Sequence, residues 1–297
     1  MNGIALVPRR IAPITSDARV VLYDDVVPTD ALSDAAFYVP PYTVGPEHMP
    51  VMAQMPNLQV CQLLTAGYEQ ALPHLPPGVV LCNAGGVHDA STAEIAVGLM
   101  LASLRGIDVA ARDMTTGTWN HVRRASLADR RVLVIGAGGV ATAIRERLEA
   151  FEAHVTMVGR SARVGVASIA TITQLLPDAE IVVLAVPLDN STRHLVDAQF
   201  LAQLRDGTLV VNVARGPVVD TDALLAETSS GRLCAALDVT DPEPLPADHP
   251  LWSSPGVLIT AHLGGDSTAF EPRARRLVEA QLARWQAGEP LRSVIAR

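Results

Sequence analysis

The sequence predicts an α/β protein of two domains, one of them built on a doubly wound parallel sheet. Its 297 residues are enough for two domains that each bury their own core. From Arg131 onward, short apolar runs alternate with helical segments at the spacing of a parallel sheet. A glycine-rich turn follows the first apolar run of that series. In such sheets ligands bind beyond the carboxyl ends of the strands, so we expect the site among the residues that follow them.

The first ninety residues alternate apolar runs with proline-rich breaks. Four of the runs have the length and composition of strands: Val20–Tyr23, Ala35–Val39, Leu58–Leu63 and Val79–Cys82. Ser91 and Glu94 then have the spacing of a capping box, which predicts a helix from about Thr92 to beyond Leu104. We expect this helix to connect the two domains.

The rest of the chain alternates strands and helices. The predicted strands are Val132–Ile135, Val155–Val158, Ile181–Val186, Leu209–Val213, Ala235–Val239 and Val257–Thr260, and the predicted helices are Val140–Phe151, Asp197–Leu204 and Thr221–Ser229. A long helical pattern, roughly from Ser267 to Gln286, leads to Leu291–Ile295.

Composition excludes several classes of partner. The net charge is −8 and no basic run exceeds an arginine pair, so nucleic-acid binding is disfavoured. No apolar stretch approaches the ~18–20 residues of a membrane helix, and Arg9 and Arg10 follow the first apolar stretch, which argues against a signal peptide. The three cysteines show no metal-ligand spacing. We expect a cytoplasmic protein with reduced thiols and no metal.

The chain contains no lysine, so all 23 of its basic residues are arginines. Mechanisms that require a Schiff-base lysine are therefore excluded. A Walker A phosphate-binding loop and a Tyr-x-x-x-Lys reductase site are excluded for the same reason.

The glycine-rich turn runs Gly136-Ala-Gly138-Gly139-Val140-Ala141 and fits the pattern G-x-G-x-x-G/A of dinucleotide-binding turns. Gly136 permits the tight turn, and Gly138 lets the backbone approach a pyrophosphate. Ala141 is small enough for close packing of helix on strand, and the first amides of the helix face the phosphates. A glycine-rich turn without a ligand is the alternative.

The strand after this turn lacks the acidic residue that binds the ribose 2′-hydroxyl of NAD. The sequence there is Gly159-Arg160-Ser161-Ala-Arg163. Two guanidinium groups and a hydroxyl suit a 2′-phosphate. The prediction is a preference for NADP(H), with NAD(H) possible; a solvated basic turn is the alternative.

Three polar residues follow three of the apolar runs: Arg215, Glu243 and His262. A guanidinium can hold an anionic substrate bidentately. An imidazole can transfer a proton near neutral pH, and a carboxylate beside it keeps it oriented and charged. Together the three predict acid–base chemistry on a small molecule that bears a carboxylate, although each alone could be an ordinary loop or structural residue.

Neighbouring residues support this choice. Gly216 permits close approach at a strand exit, and we expect Gly264 and Gly265 to leave space beside His262. His249 is the rival histidine, but its place before a proline is typical of a turn residue.

With this glycine-rich turn and these three polar residues, the chain resembles the D-isomer-specific 2-hydroxyacid dehydrogenase family. The resemblance covers roughly Leu58 to the C-terminus. It is carried by the segments Leu64-Thr-Ala-Gly-Tyr68, Ser91–Leu104, GAGGVA, Val183-Leu-Ala-Val-Pro-Leu188, NVARGPVVD, LDVTDPEPLP, His249-Pro-Leu-Trp252, TAHLGG and Gly288-Glu-Pro-Leu291.

The resemblance implies a role for each matching residue. It makes His262 the proton donor, Glu243 its partner and Arg215 the substrate anchor. The substrate carboxylate would be held by the amides of Ala66, Gly67 and Tyr68. Further contacts to the dinucleotide are implied for Gly136, Gly138, Gly139, Val140, Val186, Pro187, Val213, Ala214, Asp238 and Gly264.

The family also implies an architecture. A Rossmann-type coenzyme domain would span 91–267, and a flavodoxin-like substrate domain would comprise 1–90 plus 268–297, with the active site in the cleft. Family members are usually homodimers. This chain departs from the pattern at Ala261, which replaces a proline, at Ala141, and at Gly159-Arg160.

The expected activity is the NAD(P)-dependent reduction of a small 2-oxo acid, of the glyoxylate or hydroxypyruvate type, to the D-2-hydroxy acid. Two alternatives stay open. One is a dinucleotide-sensing regulatory protein, similar to the corepressors related to this family. The other is a phosphoglycerate-type dehydrogenase, which the missing NAD-selecting acid and the absence of a regulatory domain disfavour.

Overall fold

The computed structural model describes residues 3–42 and 45–296, and the chain divides into two compact units. The terminal unit comprises Met1–His88 and Ser267–Arg297. The central unit comprises Asp89–Asp266.

The regular elements follow the chain in this order: β1 (Ile4–Pro8), β2 (Arg19–Tyr23), β3 (Ala35–Tyr38), β4 (Val60–Gln62), β5 (Val80–Cys82), α1 (Asp89–Arg105), α2 (Ile107–Met114), β6 (Arg131–Ile135), α3 (Gly139–Ala150), β7 (His154–Gly159), β8 (Val166–Ser168), β9 (Ile181–Leu184), α4 (Ala198–Ala202), β10 (Leu209–Asn212), α5 (Thr221–Ser229), β11 (Cys234–Leu237), β12 (Val257–Ile259), α6 (Phe270–Ala287) and β13 (Val294–Ala296).

The terminal unit is built on a sheet of order β13-β5-β4-β3-β1-β2. Strands β1 to β5 pair in parallel, and β13 is antiparallel to β5. The parallel order 2-1-3-4-5 is flavodoxin-like, which confirms the predicted fold of this part. The four predicted strands are present, but β1 was missed. All five β1 residues are buried between β2 and β3, so the strand shows no alternation to distinguish it from any other apolar stretch.

Helix α6 packs one apolar stripe into the core of the terminal unit. Residues Phe270, Ala274, Val278 and Leu282 recur every fourth position and are buried with residues of the sheet such as Phe37. The helix ends at Gly288, whose left-handed backbone (φ 68°) suits a residue without a Cβ atom.

The central unit contains a seven-stranded sheet of order β12-β11-β10-β9-β6-β7-β8, in which every pair is parallel. If β6 is counted as strand 1, the sheet has the order 3-2-1-4-5-6, with β12 as a seventh strand at its edge. This order confirms the predicted Rossmann-type sheet. The six predicted strands are confirmed within two residues. The prediction missed β8, a three-residue edge strand that follows the exposed tip at Val164.

The predicted capping box was wrong. Helix α1 begins at Asp89, so Ser91 and Glu94 both lie inside it. Glu94 instead lies 3.8 Å from the guanidinium of Arg147 on α3. An acidic residue in the first turn suits the positive end of a helix dipole, and Asp89 supplies it.

All three cysteines are free thiols. Cys61 and Cys82 are buried in the terminal unit, and burial raises the pKa of Cys61; burial also raises the pKa of Cys234. Over residues 3–42 and 45–296, no helix has the length and apolar character needed to cross a membrane.

Candidate active site

His262 and Glu243 form a close pair beyond the carboxyl ends of β11 and β12. The imidazole Nδ1 lies 2.5 Å from Glu243 Oε1. The side chains are 34% and 29% exposed, so both reach solvent while most of each is covered. With Nδ1 directed at the carboxylate, Nε2 is the ring nitrogen that can carry a transferable proton.

The backbone at His262 is held in an unusual conformation. Its φ of 55° lies in the left-handed region, which costs strain for a residue with a Cβ atom. The buried Asp238 stabilises it. The carbonyl of Asp238 accepts from the His262 amide at 2.8 Å, and its carboxylate accepts from the Thr260 hydroxyl at 2.6 Å and the Leu263 amide at 2.8 Å. The loop therefore presents the imidazole at one defined position.

Gly264 packs tightly instead of opening space beside His262 as expected. Its amide donates to Asp238 Oδ2 at 2.8 Å. A Cβ atom at this position would lie 2.9 Å from the same oxygen and 3.3 Å from the Thr92 side chain. The expectation that Gly264 leaves space beside His262 was wrong. Glycine is needed at this position because its backbone lies against the Asp238 carboxylate.

Glu243 is kept ionised by its surroundings. Burial acts to raise the pKa of its carboxyl, but the hydrogen bond and the charge of His262 outweigh burial and hold that pKa below its usual value. The Thr240 backbone and the charge of Arg215 act in the same direction. The carboxylate can therefore orient the imidazole and stabilise its protonated form.

Arg215 lies at the exit of β10, where buried Asn212 shapes the turn. The Asn212 side chain donates to the Arg215 carbonyl at 2.9 Å and accepts from the Ala214 amide at 3.0 Å. A Cβ atom on Gly216 would lie 1.8 Å from the Thr240 carbonyl oxygen, so only glycine fits. The loops after β10 and β11 are thus packed together, and the structure brings Arg215 close enough to influence Glu243.

Sequence reasoning missed the supporting roles of Asn212 and Thr260 and the central role of Asp238. Asn212 and Asp238 are buried polar residues at the ends of apolar strands, and that position was the available signal. His249 behaves as predicted for a turn residue: its Nδ1 accepts from the Leu251 amide at 3.2 Å at the start of a short 3-10 helix.

The glycine-rich turn has the geometry that a dinucleotide requires. Gly136 has φ 135°, and a Cβ atom there would lie 2.2 Å from the Ala185 carbonyl oxygen. Around the Cβ position of Gly138 there is open space, so a pyrophosphate can approach the backbone. Ala141, in the first turn of α3, is fully buried, as close packing of the helix on the sheet requires. The residues present therefore fit the coenzyme's pyrophosphate at the amino end of α3.

The amino end of α3 already has an anionic neighbour. The Asp89 carboxylate lies 1.9 Å from the position that a Cβ atom on Gly139 would take. A carboxylate at this place agrees with the positive end of a helix dipole. The Asp89 side chain therefore occupies the space beside Gly139, and a Cβ atom there would displace that carboxylate.

The basic turn after β7 is exposed, but both of its arginines contact neighbouring loops. Arg160 lies 3.2 Å from Asp189 Oδ2, in the loop after β9 that also carries Val186 and Pro187. Arg163 donates to the carbonyl of Ala137, in the glycine-rich turn, at 2.7 Å. Ser161 is exposed between them. Both guanidinium groups thus lie at the predicted adenosine end of the crevice.

In the terminal unit, the predicted carboxylate-binding segment follows β4. The Thr65 hydroxyl donates to the Gly67 carbonyl at 2.7 Å, and Asn83 donates to the Ala66 carbonyl at 2.6 Å. The Tyr68 amide donates to Glu69 Oε2 at 2.9 Å. A substrate carboxylate would have to displace Glu69 to use that amide.

Comparisons with known proteins agree with this geometry. A family model described as "D-isomer specific 2-hydroxyacid dehydrogenase, NAD binding domain" matches residues 97–264. The glyoxylate reductase of Thermofilum pendens is 31% identical over 240 residues, which cover 76% of this chain and 70% of that protein. The D-3-phosphoglycerate dehydrogenase of Methanocaldococcus jannaschii is 30% identical over 229 residues, which cover 73% of this chain and 43% of that protein.

Among solved structures, a D-isomer specific 2-hydroxyacid dehydrogenase from Xanthobacter autotrophicus Py2, in complex with NADPH and MES, superposes with a TM-score of 0.79. It is 27% identical, and the match covers 99% of this chain and 98% of that chain. The family model spans more than half of the 297 residues. The chain therefore belongs to the D-isomer specific 2-hydroxyacid dehydrogenases, a family of oxidoreductases with an NAD-binding domain of Rossmann type.

Proposed function

We propose that this protein reduces a small 2-oxo acid, of the glyoxylate or hydroxypyruvate type, to the D-2-hydroxy acid, with NADP(H) as the preferred coenzyme. The observation that carries the proposal is the His262–Glu243 pair, placed beside Arg215 at the carboxyl edge of a dinucleotide-binding sheet. The similarity to the Thermofilum pendens glyoxylate reductase supports this substrate class.

His262 is the proton donor in this proposal. The bound nicotinamide would supply the hydride to the carbonyl carbon. Nε2 of the imidazole gives its proton to the carbonyl oxygen, while the Glu243 carboxylate at Nδ1 stabilises the charged ring beforehand and keeps it oriented. The low pKa of Glu243 keeps this partner anionic.

Arg215 anchors the substrate. Its fork-shaped guanidinium can donate to the substrate carboxylate and to the carbonyl oxygen together. The backbone amides of Ala66, Gly67 and Tyr68 would bind the substrate carboxylate, which would make the terminal unit the substrate-binding domain.

The central unit binds the coenzyme. Gly136, Gly138, Gly139 and Val140 would hold its pyrophosphate at the amino end of α3. The nicotinamide end would be contacted by Val186, Pro187, Val213, Ala214, Asp238 and Gly264. Arg160, Ser161 and Arg163 bind the 2′-phosphate; the NADPH complex of the Xanthobacter autotrophicus protein supports this choice.

The protein is also proposed to be a homodimer. Between Ile107 and Val122 the central unit exposes four large apolar side chains: Ile107 is 54% exposed, Met114 80%, Trp119 95% and Val122 50%. No residue of α2 is buried. Four exposed large apolar side chains within sixteen residues of chain support the proposal that a second copy of the chain covers this segment. Light scattering should give twice the chain mass, and Trp119→Ala should shift the equilibrium toward the monomer.

A turnover assay tests the function. The purified protein is incubated with NADPH or NADH and a panel of 2-oxo acids that includes glyoxylate, hydroxypyruvate and 3-phosphohydroxypyruvate. Oxidation of NADPH by glyoxylate or hydroxypyruvate supports the proposal. Preference for the phosphorylated acid would assign the protein to the phosphoglycerate-type dehydrogenases, and coenzyme binding without turnover would favour the regulatory alternative.

A further inference from the structure

We propose that Asp189 competes with the 2′-phosphate for Arg160, and that this competition makes the adenosine site accept both NADP(H) and NAD(H). The inference rests on the proposed function only in placing a dinucleotide at the glycine-rich turn. It assigns a specificity-determining role to a residue that does not lie on β7, where cofactor selection is ordinarily sought.

The topology places Asp189 and Arg160 on opposite sides of the dinucleotide turn. In the sheet, β6 lies between β9 and β7. Arg160 directly follows β7, and Asp189 lies five residues beyond β9. The 3.2 Å contact between them therefore crosses the strand whose end carries the glycine-rich turn. The ribose 2′-position of a dinucleotide is recognised near the end of the second strand of such a unit, so a coenzyme on that turn would bring this position to Arg160, which directly follows β7.

Asp189 is held in place by its own loop. Its Oδ1 accepts from the Ser191 amide at 2.7 Å and the Ser191 hydroxyl at 2.6 Å. The Asp189 amide donates to the Thr192 hydroxyl at 2.8 Å, and that hydroxyl donates to the Pro187 carbonyl. The two hydrogen bonds from Ser191, followed by the charge of Arg160, keep the pKa of Asp189 below its usual value. The carboxylate is therefore a fixed negative charge, with Oδ2 directed at Arg160.

Arg160 is the more exposed partner of the ion pair. Its side chain is 82% exposed, against 34% for Asp189. Exposed ion pairs contribute little, about 0–1 kcal/mol, so Arg160 can exchange partners readily. A phosphate monoester with a charge of roughly −1.5 to −2 and three acceptor oxygens is the stronger partner.

The exchange has opposite consequences for the two coenzymes. When Arg160 turns to a 2′-phosphate, the fixed Asp189 carboxylate stays beside a dianion, and the repulsion offsets part of the gain. When the ribose carries a free 2′-hydroxyl, the same carboxylate can accept its hydrogen bond, as an acidic residue at the end of β7 does in NAD-selective sites. Asp189 thus lowers the preference for NADP(H) in two ways: it weakens binding of the 2′-phosphate and strengthens binding of the 2′-hydroxyl.

The test is Asp189→Asn, which removes the charge and keeps the oxygen that accepts from Ser191. Binding is measured by isothermal titration calorimetry with adenosine 2′,5′-bisphosphate and with 5′-AMP, which share every group except the 2′-phosphate. We expect the bisphosphate to bind more tightly to the variant by about 5-fold or more, because a unit charge that repels the phosphate is removed, and fivefold corresponds to about 1 kcal/mol. Binding of 5′-AMP should weaken, because the 2′-hydroxyl loses a charged acceptor; an unchanged affinity for 5′-AMP would refute the hydroxyl-binding half of the proposal.

Asp206→Asn is the matched control. Asp206 is 87% exposed, pairs with Arg232 at 3.7 Å, and precedes β10 at the amino edge of the sheet. The Asp206→Asn variant changes the net charge by the same amount, but at a position away from the crevice. Its dissociation constants for the bisphosphate and for 5′-AMP should therefore match those of wild type. In an Arg160→Gln background, Asp189→Asn should still improve bisphosphate binding, but by less than in wild type, because only the direct repulsion is then relieved.

The outcomes separate the two proposals. If Asp189→Asn leaves the ratio of the two dissociation constants unchanged while wild type binds both nucleotides, the role of Asp189 is refuted and the coenzyme site stands. If wild type binds neither nucleotide, both fail. Asp189→Ser, which retains a short acceptor for the loop, serves as the second variant if Asp189→Asn does not fold.

Discussion

The two functional regions of the central unit are built in contrasting ways. Around His262, contacts are short and mostly covered: Asp238 holds the loop, Gly264 lies against it, and Gly216 lies against the Thr240 carbonyl. The turn at Arg160 is exposed, and its ion pair with Asp189 is at the surface. Proton transfer needs one fixed geometry, whereas the choice of coenzyme depends on charges that can be rebalanced without disturbing the fold.

The largest expected effect comes from the rigid region. His262→Ala should reduce kcat for 2-oxo acid reduction by ~10²–10⁴-fold, the usual contribution of a general acid. Coenzyme affinity, measured by the fluorescence of bound NADPH, should change little because the imidazole faces the substrate. His249→Ala is the control and should retain activity. If the His262 variant kept near-normal turnover, proton donation would have to be reassigned.

Arg215→Lys should reduce kcat/KM roughly tenfold or more. Lysine keeps the charge but loses the bidentate geometry, and a hydrogen bond to a charged group contributes ~1.5–3 kcal/mol. The measurement is steady-state kinetics with glyoxylate, together with thermal unfolding to exclude loss of fold. Full activity in this variant would place the substrate anchor elsewhere.

Substitutions at two glycines should have different effects, one on the packing of the fold and the other on the binding of the coenzyme. Gly216→Ala places a Cβ atom 1.8 Å from the Thr240 carbonyl oxygen, so we expect a marked fall in the melting temperature and a loss of activity. Gly138→Ala places a Cβ atom in open space, so the melting temperature should change little while affinity for NADPH falls. Equal melting temperatures for the two variants would contradict the packing described at Gly216.

Arg160→Gln should lower the preference for NADPH over NADH by about tenfold, since one charge-assisted contact of at least ~1.4 kcal/mol is lost. The ratio of kcat/KM for the two coenzymes measures this. The more direct exchange, Gly159→Asp, is unsuitable, because a Cβ atom there would lie 3.0 Å from Val166 Cγ1 and 3.3 Å from Ala137 Cβ. An unchanged ratio would make Arg160 a solvated turn residue.

The smallest effect concerns pH. Because the pKa of Glu243 is lower in the folded protein than in the unfolded chain, its ionisation stabilises the fold above the unfolded value of about 4.3, and this stabilisation is lost as the pH falls through the lower folded value. The difference in free energy of unfolding between wild type and Glu243→Gln should therefore shrink as the pH is lowered from about 6 to about 3. If the difference in free energy of unfolding grew on acidification, the pKa of Glu243 would be raised in the folded protein, not lowered.

Local pattern accounted for most of the fold. The strands of the central unit are short apolar runs between turn residues, and the boundaries of α5 were predicted to the residue. The failures have local causes. Strand β1 is buried on both faces and so lacks alternation, and β8 is only three residues long. Helix α1 begins at Asp89, two residues before the Ser91 capping box, and carries that acid in its first turn.

The sequence by itself determined the sheet, the glycine-rich turn and the meeting of Arg215, Glu243 and His262. The physical reason is that parallel strands place their carboxyl ends, and the residues that follow them, along one edge. Only the tertiary structure decided the left-handed backbone of His262, its support by Asp238 and the pairing of Arg160 with Asp189. These are contacts between loops that are 22 to 29 residues apart in the chain. No periodicity encodes such contacts, because they depend on which strands become neighbours and how closely their loops approach.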